Sequence, residues 1–128
     1  MPKDRYHLVV HVCVFNQLNQ LLIQRRQVDK IAYPDMWDLS GAGSALQGET
    51  SQEAAEREIA EELGLVINLA GKRPRLTLNF PEGFDDYWMI YQEVDLASLH
   101  LQTSEVQDAR RAIKEEVLAL AKAGKFIP

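Results

Sequence analysis

The chain of 128 residues has little of several features that define whole classes of protein. Its one cysteine, Cys13, excludes an internal disulfide and a zinc site built from several cysteines, and it fits a reducing compartment. Apolar runs such as residues 12–15 are far too short to span a bilayer, and the first residues lack the apolar stretch of a secretory signal. Because no repeat or Pro/Gly/Ser-rich linker divides the chain, we expect a single cytoplasmic domain over residues 1–128.

Two further absences concern ligands. The chain has 14 basic residues against 19 acidic ones, and the basic residues form no stripe. Nucleic-acid polymers are bound mainly by cations that displace counterions, so we expect no nucleic-acid polymer as a partner, and no membrane. The chain has no Gly-Lys-Ser/Thr triplet, which excludes a P-loop, and Leu46 occupies the third glycine position of a dinucleotide-binding loop.

The acidic side chains that are present lie unevenly along the chain. Residues 49–62 contain six glutamates and one arginine, Arg57, which gives this segment a net charge of −5. The remaining residues carry 13 acidic and 13 basic side chains, and these charges cancel. The whole net charge of the protein therefore lies in one short segment.

The alternation of apolar and polar side chains, together with the residue composition, predicts a set of short strands. They are residues 6–15, 21–25, 76–80 and 88–94. A polar loop is expected at 81–86. Residues 30–48 predict a long glycine-bearing loop with a short strand near 37–39, and loops of this length in a compact domain are usually functional.

Two segments predict helices. Residues 50–63 have Thr50 and Glu53 at the spacing of a capping box and Gly64 as a stop, whereas residues 109–121 have apolar side chains at helical spacing. Strands combined with only two helices predict an α/β fold in which a mixed β-sheet lies between helices.

The glutamates of the first helix are grouped on one side of it. With roughly 100° per residue, Glu58, Glu61 and Glu62 lie at about 0°, −60° and +40°, while Ile59 and Leu63 share another face suited to packing. Carboxylates this close repel one another unless a cation lies among them, and Mg²⁺ or Mn²⁺ prefers such oxygen ligands. A solvated acidic face is the alternative reading of the same pattern.

The spacing around these glutamates resembles a known signature. From Gly43 the chain has five residues, Glu49, seven residues, Arg57-Glu58-Ile59, one residue, Glu61-Glu62, one residue and then Gly64-Leu65. This pattern resembles the Nudix box of the Nudix hydrolases, with all nine constrained positions of its 23 residues filled. The resemblance implies an α/β/α sandwich with a mixed sheet.

The resemblance also implies an activity and roles for residues. Nudix proteins hydrolyse a nucleoside diphosphate linked to another moiety, by attack of water on phosphorus. By position, Glu58, Glu61 and Glu62 would hold Mg²⁺ or Mn²⁺, with a further ligand from the carbonyl of Gly43. Arg57 would orient carboxylates through charge-assisted hydrogen bonds, and it is counted with the three glutamates as catalytic. Glu49 and Gly64 would be structural members of the box.

The general base and the substrate contacts are less constrained by the motif. The base is expected to be Glu58, and the alternatives outside the box are Glu82, Asp85, Asp86 and Glu105. Arg25 and Arg26 end a strand near the expected cleft and are candidates for contacting phosphate. Phe84 and Tyr87 are candidates for covering a nucleobase or an apolar tail. The resemblance also implies a homodimer, which we expect here.

A narrower resemblance covers residues 7–65. Residues 7–16 and 21–26, together with Lys30, Pro34, Trp37 and the box, are similar to the Nudix branch that includes isopentenyl-diphosphate isomerase. That enzyme needs a cysteine and a metal-binding histidine, and our alignment places Ala42 and Ser44 at those positions. The sequence therefore favours an isomerase-like Nudix hydrolase of the bacterial type. An isomerase, or a Nudix module that only binds its ligand, is the alternative.

Overall fold

A computed structural model describes residues 7–128 of the protein, so residue 6 of the first predicted strand lies outside the described part. Strands, helices and one 3-10 turn follow along the chain in this order: β1 (His7–Phe15), β2 (Leu21–Arg26), β3 (Trp37–Asp38), β4 (Gly41–Ser44), α1 (Ser51–Leu63), β5 (Leu76–Phe80), β6 (Gly83–Tyr91), a 3-10 turn (Leu96–Ser98), β7 (Val106–Ala112) and α2 (Lys114–Lys122).

The strands form one mixed sheet. Its main order is β3-β2-β1-β6-β5, while β4 pairs with β1 and β7 pairs with β2. β1 and β6 are parallel from the pair His7–Gly83 to the pair Phe15–Tyr91, and the remaining pairs are antiparallel. The mixed sheet predicted from the sequence is confirmed.

β1 and β2 diverge after one pair, and the segment that holds β3 and β4 fills the gap between them. Ser40 lies at this point and is completely buried. Its Oγ accepts a hydrogen bond from the N–H of Val14 at 2.9 Å and donates one to the carbonyl of Leu22. One hydroxyl therefore joins the two strands where they separate.

The core is divided between the two faces of the sheet. Val12 and Leu22 belong to one cluster with α1, and their neighbours in sequence, Cys13 and Ile23, belong to a second cluster with Val117 and other residues near α2. Since successive side chains of a strand point to opposite faces, the helices cover opposite faces. The three-layer α/β/α sandwich is confirmed.

α1 has the predicted boundaries. The Oγ1 of Thr50 accepts a hydrogen bond from the N–H of Glu53 at 3.1 Å, and the Oε1 of Glu53 accepts one from the N–H of Thr50 at 2.9 Å, which completes the capping box. Gly64 ends the helix in the left-handed region at φ 66° and donates its N–H to the carbonyl of Ala60. The helix is therefore defined by contacts near in sequence.

Three predicted segments were wrong in part. The segment 109–121 was predicted as one helix, but its first residues belong to β7 and α2 covers only its second part. β7 pairs with β2 along its length, so the ladder outweighs the helical propensity of Ala and Arg. The loop predicted at 81–86 is also mostly strand, because β6 begins at Gly83. A further strand, β4, lies within the predicted loop 30–48.

Replacing Ser40 should weaken the sheet where β1 and β2 diverge. Ser40→Ala leaves the buried N–H of Val14 and carbonyl of Leu22 without their partner, so we expect the free energy of unfolding to fall by about 2–3 kcal/mol. Urea denaturation of the variant measures this loss. Ser104→Ala, at an exposed serine, is the matched control and should remain within about 0.5 kcal/mol of the parent. Equal stabilities of the two variants would contradict the assigned role of Ser40.

Candidate active site

Glu58, Glu61 and Glu62 line one recess of about 340 Å³ between α1 and the sheet. We call it the carboxylate recess. Its other lining residues come from β2, the loop after β2, β4 and the segment before β7: Gln24, Arg26, Lys30, Ala42, Gly43, Gln102 and Glu105. The recess therefore joins the acidic face of α1 to two basic side chains, Arg26 and Lys30.

The position of Glu58 depends on the absence of a side chain at Gly43. A Cβ at Gly43 would lie 2.3 Å from Cδ of Glu58, so the carboxylate occupies the space that any other residue would fill. Gly41 gives a similar close approach, since a Cβ there would lie 3.2 Å from Cβ of Ile59. The two glycines of β4 thus let α1 pack directly on the strand.

Arg57 binds the box carboxylates from one side of the recess. Its Nε and Nη2 donate to the two oxygens of Glu49 at 2.7 and 3.0 Å, and its Nη1 donates to Glu58 at 2.9 Å and to Glu61 at 3.2 Å. A further bond from Nη2 to the carbonyl of Ser44, at 3.1 Å, ties this group to β4. The predicted hydrogen bonds between Arg57 and the carboxylates, including Glu49, are present.

These contacts shift pKa values in opposite directions. The hydrogen bond from Arg57 is the main cause that lowers the pKa of Glu49, and hydrogen bonding to Glu49 raises the pKa of Arg57. Burial raises the pKa of Glu58, although Arg57 opposes the shift. Glu49 and Glu58 therefore differ in electrostatic environment, although both are hydrogen-bonded to Arg57.

Glu62 is the most deeply placed of the three glutamates in the recess. Its Oε1 accepts hydrogen bonds from the N–H of Ala42 and from Nε2 of Gln24, both at 3.1 Å. Burial raises the pKa of Glu62 to about 8, against the effect of these donors. Nε2 of Gln24 also donates to the carbonyl of Ser40 at 2.9 Å, so the same amide connects Glu62 to the point where β1 and β2 diverge.

The donors of the recess fit a hard divalent cation in type. Carboxylate oxygens and a main-chain carbonyl are the ligands that Mg²⁺ and Mn²⁺ prefer. Among residues 7–128, however, no three His, Cys, Asp or Glu side chains form a ready coordination shell. Glu58 and Glu61 are hydrogen-bonded to Arg57 instead, and Glu62 to Gln24 and Ala42. These bonds use one oxygen of each carboxylate, which is Oε1 in Glu58 and Glu62 and Oε2 in Glu61.

Not all predicted substrate contacts reach this recess. Arg26 lines it, whereas Arg25 points to the other face of the sheet, where its guanidinium lies 5.9 Å from the ring centre of Trp37 and pairs with Asp35 at 3.1 Å. Tyr87 lies on that same other face, stacked on His11 with ring centres 4.3 Å apart. Phe84 is 40% exposed on β6 and is not part of the recess.

The candidate general bases also lie at different places in the structure. Glu58 and Glu105 both line the carboxylate recess, and Glu105 is ion-paired to Lys30. Oδ1 of Asp85 accepts a hydrogen bond from Nε2 of His11 at 3.1 Å on the opposite face. Asp86 accepts a hydrogen bond from Thr77 on β5 at 2.6 Å. Neither of them lines the recess.

Glu82, in the turn between β5 and β6, does not line the recess either, and its carbonyl accepts a hydrogen bond from the N–H of His7.

The sequence did not single out Gln24 as a site residue. Its signal is a polar side chain among the apolar residues of β2, on the face that carries Leu22. The sequence marks Lys30 only through the narrower resemblance, and it gives no comparable signal for Gln102.

Fold and site together define a three-layer α/β/α enzyme whose acidic centre is carried by one helix. The family model described as NUDIX domain matches residues 5–127. A Nudix hydrolase from Listeria monocytogenes is 60% identical over 122 residues, which are 95% of this chain and 72% of the relative. The chain belongs to the Nudix family.

The chain is also similar to a solved structure and to a characterised enzyme. The crystal structure of DR0079 from Deinococcus radiodurans matches with a TM-score of 0.78 and 26% identity, over 98% of this chain and 80% of that one. The isopentenyl-diphosphate Delta-isomerase of Klebsiella pneumoniae is 34% identical over 116 residues, 73% of this chain and 63% of the isomerase. The similarity to the isomerase branch is therefore partial.

Adding a methyl group at Gly43 should disturb chemistry more than stability. In Gly43→Ala the new Cβ displaces the carboxylate of Glu58, which is the flexible end of a side chain. We expect turnover to fall by about a hundredfold, as small misplacements of reacting groups can cause. The free energy of unfolding should change by less than about 1 kcal/mol. Steady-state kinetics and urea denaturation measure the two effects.

Gly41→Ala is the matched control because its Cβ meets the helix core at Ile59 rather than a carboxylate. We expect it to lose about 1–3 kcal/mol of stability through overpacking. If the two variants lost activity and stability in the same proportion, Gly43 would have no specific role in placing Glu58.

Proposed function

We propose that this Nudix hydrolase uses Mg²⁺ or Mn²⁺ to cleave the diphosphate bond of a nucleoside diphosphate linked to another moiety, or of a related organic diphosphate. The observation that carries the proposal is the composition of the carboxylate recess. It has Glu58, Glu61 and Glu62 on one wall and Arg26 and Lys30 on another. Such a cavity suits an anion that is bound partly through divalent cations and partly by basic side chains.

The proposed ligands of the cation are Glu58, Glu61 and Glu62, with the carbonyl of Gly43. When bound, the cation neutralises charge on the diphosphate and lowers the pKa of water. Arg57 holds Glu58 and Glu61 against α1 so that their oxygens face the recess. Arg26 and Lys30 bind the phosphate oxygens on the other side, where Lys30 is now paired with Glu105.

We propose Glu58 as the general base, with Glu105 as the second candidate. Both carboxylates line the recess, as proton transfer from an attacking water requires. Glu58 has the better defined position because Arg57 and the backbone at Gly43 confine it. Glu105 would first have to leave Lys30.

The alternatives have less support. Isomerisation needs a group that can protonate carbon, and Ala42 has only a methyl side chain while its N–H is used by Glu62. A module that binds without catalysis would not need the complete set of box carboxylates that lines this recess.

Wider proposals concern the partners, the location and the oligomeric state of the protein. Among residues 7–128 no helix is both long and apolar enough to cross a bilayer. We propose a small-molecule diphosphate as substrate, no nucleic-acid polymer as a partner, and a cytoplasmic homodimer. Light scattering after size-exclusion chromatography measures the oligomeric state.

A substrate panel tests the activity. We expect the protein to hydrolyse at least one of ADP-ribose, nucleotide sugars, dinucleoside polyphosphates, (d)NTPs and isoprenoid diphosphates with Mg²⁺ or Mn²⁺ present. Activity should disappear when EDTA removes the metal, because the carboxylates alone would repel a diphosphate. Release of mononucleotide or phosphate is followed by chromatography. If no member of the panel were cleaved with either metal, the proposed function would be overturned.

Replacement of the two candidate bases distinguishes them. We expect Glu58→Gln to reduce kcat by about a hundredfold or more, the usual range for loss of a general base. Glu105→Gln should reduce kcat by less, with Mn²⁺ affinity measured for both variants so that metal loss is recognised. The reverse order of the two effects would assign the base to Glu105.

A further inference from the structure

β5 lies at one end of the main strand order and has a neighbouring strand on one side. Among residues 7–128 it pairs with β6 and with no other strand. The N–H and C=O groups along its outer edge are therefore available to a strand from another chain. Proteins commonly protect such an edge with a charged side chain or a proline, but residues 76–80 include neither.

The apolar side chains of β5 lie on the face of the sheet that is opposite to α1. The partners of Leu76, Leu78 and Phe80 on β6 alternate with Trp88 and Ile90, which belong to the core cluster with α1. Leu76 and Leu78 are 48% and 46% exposed. Within the described chain, the core cluster on their face contains residues of β1, β2, β3, β7 and α2 but none of β5 or β6. This end of the face is therefore an exposed apolar surface.

The two ends of β5 carry opposite charges. Arg73 and Arg75 come just before the strand, and Glu82 follows it in the turn to β6. All three side chains are exposed, and none of them has an ion-pair partner among residues 7–128. In an antiparallel pair of identical strands, the start of each strand lies beside the end of the other. The charges at the two ends would then attract each other.

We propose that β5 pairs antiparallel with β5 of a second copy of this chain, about a two-fold axis at Leu78. A two-fold axis makes each residue face one that is equally far from the axis in the other copy. Leu78 then faces Leu78 of the second copy, and Leu76 faces Phe80. On the other side of the sheet Thr77 faces Asn79. Every pair along the strand therefore joins apolar to apolar or polar to polar side chains, which stabilises an antiparallel pair.

The same register brings the charged ends together. Glu82 follows Leu78 by as many residues as Pro74 precedes it, so Glu82 lies opposite Pro74 of the second copy. It is then between Arg73 and Arg75 of that copy. The two-fold axis repeats this contact at the other end of the interface. Charge complementarity thus favours a second copy as the occupant of this edge.

The proposed interface leaves both active sites open. β6 and β1 separate β5 from β2, which lines the carboxylate recess. The two sheets would join into one continuous sheet, with a recess far from the axis on each side. The inference gives a location to the homodimer proposed above, and it does not depend on the hydrolase activity.

Sedimentation velocity over a concentration series tests the interface without a substrate, so a failure of the proposed hydrolysis leaves the test intact. We expect the parent to dimerise with a Kd in the micromolar range, since one pair of short strands makes a small interface. Leu78→Lys would place two ammonium groups opposite each other at the axis, and it should weaken dimerisation about a hundredfold.

Leu118→Lys is the matched control, because it changes a leucine of similar exposure on α2. It should leave Kd unchanged. A parent that stays monomeric at every concentration would overturn the inference. Equal effects of Leu78→Lys and Leu118→Lys would overturn it as well, while leaving a dimer through another surface.

Charge reversal tests the pairing of the two ends. Arg75→Glu and Glu82→Arg should each weaken dimerisation about tenfold, because like charges then meet twice across the axis. A mixture of the two variants should regain the parent affinity, since every contact between the unlike copies again joins opposite charges. Lys122→Glu, at an exposed lysine on α2, is the control and should have no effect. A mixture that binds no more tightly than either variant alone would overturn the antiparallel arrangement.

Hydrogen exchange distinguishes strand pairing from stacking of the two exposed sheet faces. In the proposed dimer the outward N–H groups of residues 76–80 are hydrogen-bonded to the second copy. Their exchange should therefore slow as the protein concentration rises through Kd. In a stacked dimer the edge of β5 would stay open to water, so exchange that is equally fast below and above Kd would overturn the inference.

Discussion

The close approach of α1 to β4 is the constraint on which the active site depends. Gly41 leaves room for Ile59, and Gly43 leaves room for the carboxylate of Glu58. At this distance Arg57 reaches the carbonyl of Ser44. The four residues of β4 therefore belong to the sheet, support α1 and form one wall of the recess. A larger residue at Gly43 would displace the carboxylate of Glu58 from the recess.

Elements that are stabilised by contacts between residues near in sequence could be predicted from the sequence. The capping box at Thr50 and the stop at Gly64 define α1 through local hydrogen bonds, and the box spacing then fixes which glutamates share a face. The contact from Arg57 to Glu49 spans eight residues and is implied by the same motif. β1 and β2 were also predictable, because their apolar side chains are packed on both faces of the sheet.

Parts that depend on distant strands could not be predicted. β7 contains Ala and Arg, which favour a helix, and becomes a strand only because β2 offers a free edge. Asp85 and Asp86 suggested a loop, but in β6 each has a partner, His11 and Thr77 respectively. The face to which Arg25 points was likewise undetermined, since it depends on the register of β2 within the whole sheet.

Glu62 illustrates how much of the chain the active site requires. Its hydrogen-bond partners Ala42 and Gln24 are 20 and 38 residues away in sequence, and the recess is completed by Glu105 from the segment before β7. During synthesis the acidic motif is complete once Leu65 has been added, but an isolated α1 would lack the contacts that Ala42 and Gln24 make with Glu62. The enzyme therefore acquires its centre late, after the ribosome has passed Glu105 and the sheet has closed around the helix.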